Sequence, residues 1–246
     1  MGEEPLWRDV GGQLLYALLA VGGAVLLPGE TLGARLGLGR SRLGAVRIAS
    51  GLLGFLALSN ALHGAVEWLG VMEGTTLAQI DETVREASPV HPALVWLAVA
   101  LAPAVGEELL FRGFALRLLA QRAPAAVAVL GSALLFGVAH LDVVQGTAAF
   151  FLGGYLAALA QRGGSLRPTL LCHAVNNSLA VAGSAGLLPE VGASAPAQIG
   201  LGLAFAAACL AFALASPRLQ PLGPPADAVE VPRGLDEDDP LGPDRR

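Results

Sequence analysis

Gly106-Glu107-Glu108-Leu109-Leu110-Phe111-Arg112 sets two carboxylates and a guanidinium at the end of an apolar run, Val95 to Val105. An ionisable side chain inside a membrane span costs about 2.5–3.5 kcal/mol on insertion scales, so its presence there marks a functional site by default. Glu108 and Arg112 are four apart and share a helix face. Arg112 can therefore neutralise Glu108 and leave Glu107 free as a base. Glu107 points about 100° away around the helix, so the two carboxylates need not share a partner. Pro103, four residues before Glu107, predicts a kink ahead of the motif. The bland alternative is a charge cluster snorkelling to the interface, for which adjacent carboxylates are poorly suited.

Two histidines follow on later apolar segments. His140 ends Phe136-Gly137-Val138-Ala139-His140, and His173 opens His173-Ala174-Val175-Asn176-Asn177, where His173 and Asn177 again form an i, i+4 pair. Either histidine alone fits an interface or inter-helix hydrogen bond. Together the segments offer a carboxylate, two imidazoles and an amide. A carboxylate with an imidazole can activate water as a general base. A second imidazole and an Asn amide can donate to a developing oxyanion. Asn60, His63 and Glu67 also share one face of a helix and fit an inter-helix hydrogen-bond strip. Cys172 points away from His173, which disfavours a Cys-His nucleophile pair.

These groups require helices in lipid to hold them. The chain is 54% hydrophobic and 14% charged, with 32 glycines, against roughly 25% charge in a soluble domain. Apolar segments predict an all-α, polytopic transmembrane bundle of about seven spans. They fall near 12–27, 48–71, 93–114, 125–141, 147–160, 168–188 and 199–215. Residues 1–92 form an N-terminal two-span region with a basic loop and an acidic loop. Residues 93–190 form the chemical core, and 191–215 the last span. Residues 216–246, Pro-rich and acidic, read as a disordered tail. The net charge of −5 sits largely at the chain ends and gives no reason to expect nucleic acid.

All fifteen basic residues are arginine. With the N-terminus outside, ten of them (35, 40, 42, 47, 112, 117, 122, 162, 167 and 218) fall on inner segments and two, Arg8 and Arg85, on outer ones. That asymmetry predicts N-terminus out, C-terminus in, and the Glu-Glu motif near the cytoplasmic end of its span. A straight fourth span then puts His140 at the opposite end, a conflict of depth.

Glu-Glu-x-x-x-Arg, Phe-x-x-x-His and His-x-x-x-Asn, in that order on successive apolar segments, resemble the CPBP family of intramembrane proteases. The family includes CAAX prenyl endopeptidases and Abi-type bacteriocin-processing and immunity proteins. The resemblance covers roughly residues 94–188. It implies a membrane-embedded endopeptidase in which Glu107 is the base and His140 holds the attacking water. His173 and Asn177 would form the oxyanion site, and Glu108 paired to Arg112 would give support. It also implies a site open to the cytoplasmic side. Glu107, His140 and His173 would equally make a two-His, one-carboxylate zinc set. No His-Glu-x-x-His motif is present, and the resemblance also supports a glutamate-activated water, so no cofactor is expected. Expected partners are membrane lipid and a membrane-associated protein or peptide substrate. Gly/Ala/Arg-rich composition without lysine points to a bacterial inner membrane. The alternative from another class is a non-catalytic Abi-type immunity or scaffold protein, which loss of a motif residue would have favoured.

Overall fold

The computed structural model describes residues 4–89, 91–189 and 195–215. The acidic tail expected at 216–246 lies outside the described residues. Among the described residues all regular structure is helical. α1 is Glu4–Gly23, α2 Ala45–Trp68, α3 Thr76–Ala87, and α5 Ala125–Ala139; α6 is Val143–Gly163, α7 Arg167–Ser184 and α8 Pro196–Leu214. α4 is a continuous 29-residue rod, Pro92–Ala120, with π-helical segments at Trp96–Leu101 and Glu108–Ala115.

Among the described residues, four helices, α2, α4, α6 and α8, are long and apolar enough to cross a membrane. The apolar stretches Val10–Leu26 and Ala125–Ala139 are shorter. Helices α1, α5 and α8 leave Leu18, Leu130, Val138 and Leu201 more than half exposed. Side chains of that kind on several helices make an apolar outer surface suited to lipid rather than water. Inside, Leu43, Phe55, Tyr155, Leu156, Leu159 and Cys172 pack α2, α6 and α7 together. Cys172 is fully buried in that cluster.

The rod α4 runs six residues past the expected end at Phe114, which changes the depth of everything on it. Glu107 and Glu108 lie near its midpoint rather than near its C-terminal end. α5 is 15 residues long, a rise of about 22 Å against about 43 Å for α4. Antiparallel to α4, it brings its C-terminus and His140 only to mid-rod. The conflict of depth disappears because one helix is long and its neighbour short.

α3 is the short surface helix expected in the acidic loop, and a single carboxylate latches it down. Asp142, the N-cap of α6, accepts from the backbone N–H of Gln145 at 2.7 Å. It also accepts from the Thr76 N–H at 2.9 Å and the Thr76 hydroxyl at 3.3 Å. These donors, the Thr76 amide first, hold the Asp142 carboxyl below its ordinary value. A depressed carboxyl adds stability above its unfolded pKa and loses it as pH falls through the folded one. The latch should thus be intact from pH 5 upward and open only below about pH 4. Hydrogen-exchange protection of residues 76–87 should fall at acid pH in the wild type. In Asp142→Asn it should be lower throughout and lose the acid step. An identical acid step in both proteins would refute the latch.

The face carrying Asn60, His63 and Glu67 is not an inter-helix strip. His63 Nε2 meets Glu67 Oε1 at 3.3 Å with the two side chains 59% and 36% exposed, so the pair lies on the outside of α2.

Candidate active site

Arg112 and Glu108 meet as the spacing predicts. Arg112 Nη1 donates to Glu108 Oε1 at 2.7 Å, and neither side chain has exposed surface. Arg112 Nη2 donates to the Gly153 carbonyl at 3.2 Å, and its guanidinium carbon lies 4.3 Å from the Phe136 ring centroid. Gly153 permits this approach: a Cβ there would stand 2.8 Å from Phe136 and 3.2 Å from Arg112. The Phe of Phe-x-x-x-His is thus the lid over the buried ion pair.

The two carboxylates do share a partner, contrary to the α-helical expectation. His173 stands between them, with Nδ1 3.0 Å from Glu108 Oε1 and Nε2 3.7 Å from Glu107 Oε2. The π-helical turn starting at Glu108 alters the angular spacing that an α-helix would impose there. An ionised Glu108 only accepts, so Nδ1 must carry a proton, and Nε2 then donates only when the ring is imidazolium.

Glu107 differs from Glu108 in its surroundings. It is 9% exposed where Glu108 is sealed, and no arginine pairs with it among the described residues. Its Oε1 accepts from Gln13 Nε2 of α1 at 3.0 Å. Gln13 was not among the residues expected, although a lone amide in the apolar first span was a readable signal. Gly106 explains the contact, since a Cβ there would lie 2.6 Å from the Gln13 carbonyl. A hydrogen bond to a charged group contributes about 1.5–3 kcal/mol, so Gln13→Met should slow any turnover that depends on Glu107 by about tenfold to a hundredfold in kcat, with KM little changed. A rise in KM alone would instead make Gln13 a substrate contact.

His140 caps α5, and its Nδ1 lies 2.8 Å from the Phe136 carbonyl, leaving Nε2 to face outward from the helix end. Its ring meets Phe136 edge-on at 4.9 Å, and Phe136 meets His173 at 6.2 Å. Phe136 therefore spaces the two histidines. Asn177 lies one turn beyond His173, with Nδ2 3.5 Å from the Val99 carbonyl. Pro103 lacks the N–H that an α-helix would offer Val99, and π-helical segments lie on either side of the α-helical turn that holds it. Asn176 Nδ2 donates to Asn177 Oδ1 at 3.2 Å.

The zinc alternative fits this arrangement poorly. Both nitrogens of His173 face carboxylates, Phe136 keeps His140 apart, and among the described residues no three His, Cys, Asp or Glu side chains are gathered closely enough to hold a metal ion.

Residues 89–179 match the family described as type II CAAX prenyl endopeptidase, Rce1-like. That stretch, a little over a third of the chain, is similar to the Rce1-like family, in line with the resemblance to CPBP intramembrane proteases. No curated protein and no solved structure matches the chain. The matched stretch contains all of α4, α5 and α6 and α7 as far as Leu179, hence Glu107, Glu108, Arg112, His140, His173 and Asn177. Gln13 is a contribution from outside it.

Proposed function

We propose that this protein is a membrane-embedded endopeptidase that hydrolyses a peptide bond with a water activated by Glu107. The observation that carries the reading is the division of labour between adjacent carboxylates. Glu108 is sealed against Arg112, while Glu107 stays unpaired by arginine at the edge of the buried cluster. A base has to reach a water; a structural anion does not.

In this reading Glu107 takes the proton of a water held between its carboxylate and His140. The hydroxide attacks the scissile carbonyl, and the imidazolium of His173, with the Asn177 amide, donates to the oxyanion. Glu108 keeps the His173 ring in place through Nδ1, and Arg112 keeps Glu108 ionised. Glu107 then returns its proton to the leaving amine. No metal takes part.

We place the chain in a bacterial inner membrane as a bundle of seven crossings, N-terminus out and C-terminus in, with residues 93–190 as the catalytic unit. Its substrate is a membrane-associated protein or peptide. The test compares membrane-protein termini in host cells carrying the wild type or Glu107→Gln at matched expression. New peptide ends should be present with the wild type and absent with the variant. Identical sets of termini would give the lead to the non-catalytic Abi-type reading.

A further inference from the structure

α2 has two faces, and the chain packs against one of them. Gly51, Gly54, Phe55 and Ala61 are buried. A Cβ on Gly54 would collide with Tyr155 of α6 and Cys209 of α8, and one on Gly202 of α8 would stand 3.1 Å from Ala61. The opposite face is a row spaced by three and four residues: Val46, Ala49, Leu53, Leu56, Asn60, His63 and Glu67. Alternating steps of three and four keep one stripe along a helix, the a/d seam of a coiled coil. Six of the seven are exposed, Val46 at 72% and Leu53 at 56%, and Leu56 is half-buried.

Lipid suits the first half of this stripe and not the second. Over its 24 residues α2 rises about 36 Å, against a hydrocarbon core of about 30 Å. Glu67, next to the last residue, reaches the interface. Asn60 stands about 12 Å short of the helix end, inside the core. It is exposed, and its amide makes no hydrogen bond among the described residues. His63 has Glu67 at 3.3 Å as a partner from its own helix. A polar group left unsatisfied in hydrocarbon costs several kcal/mol. Membrane helices cover such groups by bonding Asn and His side chains across to another helix.

Asn60 names the occupant. A carboxamide carries donor and acceptor together, so it is complementary to an identical group across a two-fold axis. Two copies of one chain insert with the same orientation, so their α2 helices run parallel and each seam residue meets its own equivalent. Leu53 and Leu56 then pack against their counterparts, and one asparagine in the seam fixes the register and the number of strands. We propose that α2 is a dimerisation helix, whose outward stripe over residues 46–67 pairs with the same stripe of a second copy and is held in register by Asn60. No residue of the stripe belongs to the Glu107 cluster, so the pairing is independent of the hydrolase reading.

The test is disulfide cross-linking of the full chain in its membranes. It uses a Cys209→Ala background, with the fully buried Cys172 left in place. Leu53→Cys and Leu56→Cys each put a thiol in the seam, where a parallel pair brings equivalent Cα atoms within the roughly 4.4–6.8 Å that a disulfide needs. A folding failure of one is covered by the other. Leu130→Cys on α5, a site 58% exposed, is the lipid-facing control outside the seam. Mild oxidation should join both seam variants into dimers of the 24.9 kDa chain and leave Leu130→Cys monomeric. Adding Asn60→Leu should weaken the dimer about three- to thirtyfold, read as the fall in cross-linked fraction when the membranes are diluted with added lipid. Seam variants that cross-link no better than Leu130→Cys would overturn the proposal and leave the stripe to lipid. Adducts of Leu53→Cys with a different polypeptide, in place of dimers, would overturn a second copy as the occupant. Dimers that resist dilution equally well with Asn60→Leu would overturn the part given to Asn60.

Discussion

Glu107→Gln should remove hydrolysis and leave the bundle folded. Loss of a positioned general base costs about 10²–10⁴-fold in rate, and the amide keeps the carboxylate's shape while losing its basicity. The variant still presents an oxygen to Gln13 Nε2, which lies 3.0 Å from Glu107 Oε1 in the wild type. Glu107 lies at the edge of the cluster, so the isosteric substitution leaves the sealed Glu108–Arg112 pair in place. Thermal melting of the purified variant should therefore match the wild type within a few degrees, while turnover falls to background. A variant that keeps wild-type turnover would exclude Glu107 as the base.

Arg112→Met should do the opposite and cost the fold. Arg112 and Glu108 are both sealed, 2.7 Å apart, with His173 as the other partner of Glu108. Breaking one side of a buried ion pair costs about 3–5 kcal/mol because the remaining charge stays uncompensated. The expected result is poor accumulation in membranes and a markedly lower melting temperature. Removing both charges, as in Glu108→Leu with Arg112→Met, should recover much of the stability, since the pair is exchanged for apolar packing. It should not recover turnover, because His173 loses the acceptor that holds Nδ1. If the double variant melts no higher than Arg112→Met alone, the cost lies in the guanidinium's packing on Phe136 and Gly153 rather than in a stranded carboxylate.

The contrast between these variants mirrors what the sequence could and could not disclose. The i, i+4 spacing of Glu108 and Arg112 foretold their pairing, because helical neighbours meet whatever else the chain does. The order of the three motifs brought Glu107, His140 and His173 to one region, and Phe136 joins them as the ring against which Arg112 and both histidines lie. All seven segments taken as spans are helical. Three features were hidden. The sharing of His173 by both carboxylates depends on π-helical winding, which hydropathy does not register. The depth of the site depends on where α4 ends, and Leu116, Leu118 and Leu119 continue its apolar pattern past the arginines without marking a boundary. Gln13 reaches Glu107 by an inter-helix contact that Gly106 allows, and one polar side chain in an apolar span does not say which helix it faces.

The central claim is that two adjacent carboxylates do different work, Glu107 on water and Glu108 on structure. The most direct measurement is the cleavage rate of a peptide spanning the site identified in host membranes, by Glu107→Gln and Glu108→Gln proteins purified side by side with their melting curves. The account predicts that Glu107→Gln melts like the wild type and is inactive, whereas Glu108→Gln melts lower and retains measurable cleavage in the fraction still folded. A stable, fully inactive Glu108→Gln beside an active Glu107→Gln would reverse the two roles and contradict the account.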